Sequence, residues 1–292
     1  MTKYALAVAA AVTCLALTGC SASVEPSERV STTSAISATE LAPTLLSVNN
    51  FRDVAGPSGG YVTQSGSRLK PGVIYRSNVL SPDDHDFETL NSLGLDKVYD
   101  LRMTSEVEAT PDRIPLGAEY VRVDIMGDGA RVATSTDIAT MDGAKSVGMN
   151  AYRDFVTEAA QRQAFATLLT DLANDDGSQV FHCTAGKDRT GWAAALLQSI
   201  AGVPRDVVFS DYELTNEYTE DYIDATAKEV GLAQGDEAAD AIRYVYAARP
   251  EFLQASFDEV DRLYGSLDGY LTNGLGLDSS TLSQLRSKLT AQ

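Results

Sequence analysis

The sequence is poor in the side chains that build disulfides and metal sites. Its 292 residues include three cysteines and two histidines. Cys14 and Cys20 lie at the amino terminus, so the rest of the chain holds only Cys183 and can form no internal disulfide. With His85 and His182 as the only imidazoles, a histidine-built metal site is not expected, although a carboxylate site for a hard cation stays open. No cofactor is predicted.

Positive charge is also scarce. The chain carries 23 Lys and Arg against 41 Asp and Glu, for a net charge of -18. Such a surface argues against nucleic-acid binding and against adsorption to anionic lipid through charge. Any site for phosphate must therefore be a local positive pocket. The hydrophobic share of 44% is sufficient for a substantial core.

The sequence has no hydrophobic run long enough to span a bilayer comfortably. The apolar stretch 4–17 follows Lys3 and predicts a signal peptide over 1–19. Residues 17–20, LTGC, resemble the lipobox of bacterial lipoproteins, which implies cleavage before Cys20 and a lipid on its sulfur. We therefore expect an exported protein, anchored on the outer face of the cell membrane or, without the lipid, secreted. Residues 20–44 read as a flexible tether and 45–292 as the folded domain.

The most informative stretch is 181–191, FHCTAGKDRTG. It lies between an apolar run typical of a buried strand and a helical pattern that begins at Trp192. A loop that enters a helix directs several backbone N–H groups, and the positive end of the helix dipole, at one point. Cys183 lies at the base of that loop, Gly186 permits a tight curl, and Arg189 can hold two phosphate oxygens. A thiol among such positive groups ionises readily and becomes a nucleophile.

The string HCTAGKDRTG at 182–191 resembles the phosphate loop of the cysteine-dependent protein tyrosine phosphatases, in the bacterial branch with tyrosine and phosphoinositide phosphatase activity. Segments 50–56, 75–77 and 100–102, the last together with Glu106, resemble the same branch. We expect an α/β fold with a central, mostly parallel sheet flanked by helices. The resemblance implies a phosphomonoester hydrolase that forms a phosphocysteine and acts on phosphorylated protein or phosphoinositide.

The roles follow from the chemistry and from the resemblance. Cys183 is the predicted nucleophile, and Arg189 binds the phosphate and stabilises its charge. Asp188 is the predicted general acid, with Asp124 or Asp128 as runner-up. The remaining predicted members of the phosphate loop are His182, Thr184, Ala185, Gly186, Lys187 and Thr190.

Three of these loop side chains have specific expectations. His182 should bond the loop backbone, and Thr190 can donate its hydroxyl to the sulfur. Lys187 is expected at the pocket mouth, where it either receives a second phosphate or activates Cys183. These two roles stay open.

Patterns elsewhere predict the surrounding elements. A helix should begin at Ser81-Pro82 and end at Gly94, and another should cover 151–173 after an irregular loop or short lid over 127–148. Residues 206–248 predict acidic helices, and the resemblance implies that a pair of them, 218–230 and 236–247, forms a lid. The alternative is that this helix pair only packs against the rest of the domain and does not act as a lid. Arg52 and Asp53 are expected to pair, whereas Asp100 and Arg102 either orient the phosphate loop or pair with each other.

Three other functions compete. A rhodanese-like sulfurtransferase also has a cysteine loop at a strand–helix junction, but that loop is typically shorter. A nucleotide-binding P-loop would need Ser or Thr at position 188 and an upstream glycine at 181, and neither is present. An inactive phosphate-binding adaptor on the cell surface would have no need of Cys183, Asp188 and Arg189 together.

Overall fold

The computed structural model describes residues 4–5, 42–57, 59–127 and 131–291. The predicted leader and most of the tether lie outside this range, apart from a two-residue strand, β1 (Tyr4–Ala5), that pairs in parallel with β6 (Arg131–Val132). Within the described residues, none of the helices has the length and hydropathy needed to cross a bilayer.

A five-stranded sheet forms the centre of the fold, in the order β2-β3-β7-β4-β5. The first pair is antiparallel and the other three pairs are parallel, which confirms the predicted mostly parallel sheet. The strands are β2 (Arg52–Asp53), β3 (Ile74–Ser77), β4 (Leu95–Asp100), β5 (Glu119–Arg122) and β7 (Ser178–His182).

Alternating side chains cover the two faces of the sheet, as the strand period of two residues requires. Val98 and Val180 join the smaller core beneath α1 (Asp84–Ser92). Tyr99 and Phe181 join the larger core, where the fully buried Trp192 packs edge-on against Phe257. Helices therefore flank both faces, as predicted.

The remaining helices follow in chain order. They are α2 (Thr104–Ala109), α3 (Met141–Thr157), α4 (Ala159–Asn174), α5 (Asp188–Ile200), α6 (Arg205–Glu213), α7 (Thr215–Gln234), α8 (Asp236–Tyr246), α9 (Pro250–Tyr264), α10 (Leu267–Gly269) and α11 (Ser279–Leu289), with a π-helical turn at Tyr270–Gly274.

Several predicted boundaries were wrong, and local capping explains each difference. The expected loop over 127–148 is helical from Met141, because the side chain of Thr140 accepts a bond from the Gly143 N–H. The single helix expected over 151–173 is two helices, since the extended backbone of Glu158 (ψ 120°) separates them. The first helix is capped by Asp83 and not by Ser81.

The acidic region 206–248 contains the expected helices; α7 is longer than predicted at both ends, whereas α8 ends one residue earlier than predicted. Gly231 lies inside α7, so the turn between the pair depends on Gly235 alone, whose φ of +94° is unfavourable for other residues.

Candidate active site

The phosphate-loop residues lie where the carboxyl ends of three parallel strands meet. His182 at the end of β7 pairs in register with Ser77 of β3 and with Asp100 of β4. Cys183 follows directly and is 2% exposed, and α5 begins at Asp188. The chain therefore folds back over the cysteine within five residues, as the strand–loop–helix pattern predicted.

Gly186 is needed for this curl. Its φ is +67°, and a Cβ atom at this position would lie 2.5 Å from the carbonyl oxygen of Ser77. Both the backbone conformation and the close approach of β3 therefore exclude a side chain.

Side chains outside the loop hold its carbonyl groups. The Gly186 oxygen accepts from Arg76 Nη2 at 2.9 Å and from Asn50 Nδ2 at 2.9 Å, and Asn50 also donates to the Ala185 oxygen at 3.2 Å. In a trans peptide the N–H of the next residue points away from the carbonyl. The N–H groups of Gly186 and Lys187 therefore point away from the Asn50 and Arg76 side chains. These two N–H groups are available to bind an anion.

Arg76 is itself fixed in a buried ion pair. It is fully buried, and its Nη1 donates to Asp211 Oδ2 at 3.1 Å. Burial, followed by the nearby charge of Arg52, lowers the pKa of Arg76 to about 10, so the guanidinium stays charged at neutral pH. Sequence reasoning noted the segments that contain Asn50, Arg76 and Asp211 but gave these residues no role in the site.

The predicted pair of Arg52 and Asp53 does not form, because neighbouring strand residues point to opposite faces. Arg52 donates to the Asp211 carbonyl oxygen at 2.9 Å, whereas Asp53 accepts from the N–H of Ala55 at 2.7 Å. Asp100 and Arg102, for which two arrangements were open, do pair with each other.

Arg189 is buried and engaged by a carboxylate that sequence reasoning did not include in the site. Its Nη1 and Nη2 donate to Glu106 Oε2 and Oε1 at 2.6 Å and 2.8 Å. The Thr184 hydroxyl donates to the same carboxylate. Burial alone would raise the pKa of Glu106, but the charge and hydrogen bonds of Arg189 lower it to about 2. Glu106 therefore fixes the plane of the guanidinium beside the loop.

Asp188 and Lys187 are both buried at the start of α5. The ammonium of Lys187 lies 3.3 Å from Asp188 Oδ1, and the Lys187 side chain is 3% exposed. It donates to the carbonyl oxygens of Val245 and Ala247, at the carboxyl end of α8. Lys187 does not present its charge at the pocket mouth as expected, because these carbonyls and the negative end of the helix dipole bind it.

The remaining predicted residues differ in availability. The Thr190 hydroxyl is buried and bonds to no other described residue, so it can donate to the sulfur as predicted. The Asp124 carboxylate accepts hydrogen bonds from the N–H groups of Met126 and Gly127 and pairs with Arg122. These contacts hold Asp124 in a turn of its own. Asp128 lies outside the described residues.

A cavity of about 200 Å³ opens beside the loop. Thr184, Ala185, Asp188 and the stem of Lys187, whose ammonium is bound by the α8 carbonyls, line one side, with Asn49, Asn78 and Val79 beside them. Helix α7 lines the opposite side with one face, and Tyr246 of α8 completes it; the α7 residues are Thr215, Thr219, Tyr222 and Ile223. The cavity can therefore receive a group that is bonded to a phosphate held in the loop.

A buried cysteine in a curled loop at a helix start, with a fixed guanidinium and a neighbouring carboxyl group, defines a cysteine-dependent phosphatase. The profile described as "Tyrosine phosphatase family" matches residues 43–291, and the chain belongs to that family. The enzyme is a phosphatase of the protein tyrosine phosphatase type.

Two similar sequences agree with this assignment. The chain is 32% identical to H16_A0669 of Cupriavidus necator, which is named among the tyrosine-protein phosphatases, over 84% of this chain and 86% of that protein. It is 31% identical to the triple specificity protein phosphatase PtpB of Mycobacterium tuberculosis, over 82% of this chain and 96% of that one. The solved catalytic domain of the PP-IP phosphatase SIW14 from S. cerevisiae aligns with a TM-score of 0.32 at 16% identity, over 64% of this chain and 95% of that chain.

Proposed function

We propose that this phosphatase hydrolyses aryl phosphomonoesters, with phosphotyrosine in proteins as the natural substrate. The Cys183 thiolate attacks phosphorus, and the bond to the phenolic oxygen breaks. Asp188 gives its proton to the departing phenoxide, while Arg189 and the loop N–H groups bind the phosphoryl oxygens. A water molecule then attacks the phosphocysteine, Asp188 takes its proton, and inorganic phosphate leaves with the thiolate restored.

The lining of the cavity supports an aryl substrate. Tyr222, Ile223 and Tyr246 provide apolar and aromatic surface where the leaving group must lie. Lys187, the cation that would receive a second phosphate, is bound to the carbonyls of Val245 and Ala247. A ring with a single phosphate is therefore favoured over a polyphosphorylated inositol, which is the second substrate class to test.

A substrate panel tests this proposal. Wild type and Cys183→Ser are compared on peptides with phosphotyrosine, phosphoserine or phosphothreonine, on mono- and bisphosphorylated phosphoinositides, and on thiosulfate. We expect vanadate-sensitive release of phosphate in wild type only, fastest with phosphotyrosine. Faster hydrolysis of a bisphosphorylated inositol lipid would reverse the substrate assignment, and thiosulfate turnover would indicate a sulfurtransferase. A wild-type protein that binds the phosphorylated peptides or lipids but releases no phosphate would be an inactive phosphate-binding adaptor.

We also propose that the protein is exported and held at the outer face of the cell membrane by a lipid on Cys20, with 20–44 as the tether. The LTGC sequence at 17–20 and the short apolar stretch before it support this location. Metabolic labelling with palmitate followed by fractionation tests it, with Cys20→Ser as the variant and Cys14→Ser as the matched control. Equal labelling of Cys20→Ser and wild type would overturn the anchor.

A further inference from the structure

A buried cluster of charges lies directly behind the nucleophile. Arg102 donates to Asp100 Oδ1 and Oδ2, each at 2.8 Å, and to Asp112 Oδ2 at 2.7 Å. The side chains of these three residues are at most 2% exposed. One guanidinium therefore faces two carboxylates, and the trio alone carries an excess negative charge.

His182 lies between this cluster and the nucleophile. Its Nε2 is 3.3 Å from Asp112 Oδ2 and 4.0 Å from Asp100 Oδ1. Its Nδ1 is 3.3 Å from the carbonyl oxygen of Cys183. A carbonyl and an ionised carboxylate offer only acceptors, so a proton on each ring nitrogen would be attracted by the oxygen that it faces. Nε2 lies within ion-pair distance of Asp112 but makes no hydrogen bond to any described residue, so its charge and not a hydrogen bond ties it to the carboxylate. An imidazolium also neutralises the excess charge of the cluster.

The carboxylates that face the ring are themselves held in place. The Leu80 N–H donates to Asp112 Oδ1 at 3.0 Å, and the Tyr120 hydroxyl donates to Asp100 Oδ2 at 2.8 Å. Burial would raise the pKa of Asp100, but the hydrogen bonds of Arg102 and the charge of His182 hold it well below its usual range. Asp100 thus remains ionised, and both carboxylates face the ring at fixed positions.

Asp100, Asp112 and His182 lie close enough together to share a metal ion. However, the guanidinium of Arg102 already donates to both carboxylates, which gives them a cation without a metal. The cluster is better described as an ion network that includes the ring.

We propose that Asp112 is a positioning residue that keeps His182 as an imidazolium against the Cys183 peptide. The imidazolium holds the carbonyl of the nucleophile and places a positive charge next to the thiolate. Asp112 contacts neither substrate nor sulfur and acts only through the ring. The groups that set the charge of the ring are Asp100 on β4, Arg102 after it, Asp112 in the loop after α2 and, through Asp100, Tyr120 on β5.

Because the chain has only two histidines, the ring can be observed directly in the folded protein. In protein labelled with ¹⁵N-histidine, the side-chain nitrogen shifts report the proton on each nitrogen, and a His85→Asn variant assigns the signals. His85 is 83% exposed and provides the solvent reference. We expect His182 to carry both protons at pH 7. A neutral ring with a bare Nε2 at that pH would overturn the proposal, whatever the catalytic activity.

The second experiment measures the consequence for the thiol. Asp112→Asn is compared with Glu108→Gln, an exposed carboxyl change four positions earlier. The readouts are alkylation of Cys183 by iodoacetamide against pH and thermal unfolding. We expect alkylation of Asp112→Asn at pH 6 to be about tenfold slower, with its pH midpoint about one unit higher, while Glu108→Gln matches wild type. An unchanged pH profile of alkylation in a folded Asp112→Asn variant would overturn the positioning role of Asp112. If that variant does not fold, the nitrogen shifts of His182 in the otherwise native protein still decide the proposal.

Discussion

The two sides of the active-site cavity are built differently. On the side of the phosphate loop, buried charged groups from distant parts of the chain hold its backbone and its side chains, such as Arg76 on the Gly186 carbonyl and Glu106 on the Arg189 guanidinium. On the side of α7, the cavity is lined by Tyr222, Ile223 and two threonines, while acidic residues such as Glu220 and Asp224 face solvent. The difference indicates that the loop side fixes the chemistry and that the helix side selects the substrate.

The largest effect should come from removing a brace of the loop. We expect Arg76→Met to lower the free energy of unfolding by about 3–5 kcal/mol, because it leaves buried Asp211 with one ion-pair partner fewer and deprives the Gly186 oxygen of a donor. Urea unfolding measures this. Arg113→Gln, which removes an exposed pair with Asp84, should change stability by about 1 kcal/mol or less. Equal, small losses in both variants would show that the loop does not depend on its buried brace.

The next effect concerns the general acid. We expect Asp188→Asn to reduce kcat about 10²–10⁴-fold on phenyl phosphate, whose leaving group needs a proton, and much less on an activated aryl phosphate. Asp124→Asn is the matched control, since Asp124 is engaged in its own turn. Steady-state rates on both substrates, with their pH profiles, separate the two residues. If Asp188→Asn keeps its full rate on phenyl phosphate while Asp124→Asn loses it, the assignment of the acid is reversed.

A pH-dependent effect should follow from the pair of Glu106 and Arg189. The pKa of Glu106 falls from 4.5 to about 2 in the folded protein, which corresponds to roughly 3 kcal/mol of stability. Because the folded pKa is the lower one, this contribution is present above pH 4.5 and is lost as the pH falls through about 2.

Urea unfolding of wild type and Glu106→Gln across this pH range measures the contribution. The difference in stability between the two proteins should be largest at neutral pH and shrink progressively below pH 4.5. Glu108→Gln, on the exposed side of the same helix, should show no such trend. A difference that is constant with pH would mean that the pKa of Glu106 is not lowered by folding, and the ion pair would then not stabilise the loop through the charge of Glu106.

The sequence predicted the loop side better than its surroundings. The residues of the phosphate loop are adjacent in the chain, so their spacing already determines the strand–loop–helix geometry around Cys183. Glu106 and Arg76 reach the loop only through the pairing of β3, β7 and β4, and no local pattern encodes that approach. The segments that contain them were noticed through family resemblance, which carries no geometry.

On the helix side, the acidic helices were predicted from periodicity, but the position of Lys187 was not. From the sequence alone, a lysine beside a predicted phosphate site is expected to bind the substrate or to activate the nucleophile. Its ammonium instead binds Val245 and Ala247, because the end of α8 offers carbonyls without helical partners. Whether α7 and α8 act as a lid over the cavity stays a prediction.

The smallest effect should come from the helix side and should appear in binding. Tyr222 lines the cavity and lies 6.1 Å from the Tyr246 ring, centroid to centroid, so an aryl leaving group would pack against it. Such a contact is worth about 0.5–1.5 kcal/mol, and we expect Tyr222→Ala to raise KM for a phosphotyrosine peptide about fivefold with kcat little changed. Tyr218→Ala, one turn earlier, removes a ring that contacts Arg52 and does not line the cavity, so its KM should stay near that of wild type. A fall in kcat without a change in KM in Tyr222→Ala would mean that α7 takes part in the chemistry, and the two sides of the cavity would then not divide their roles as their construction indicates.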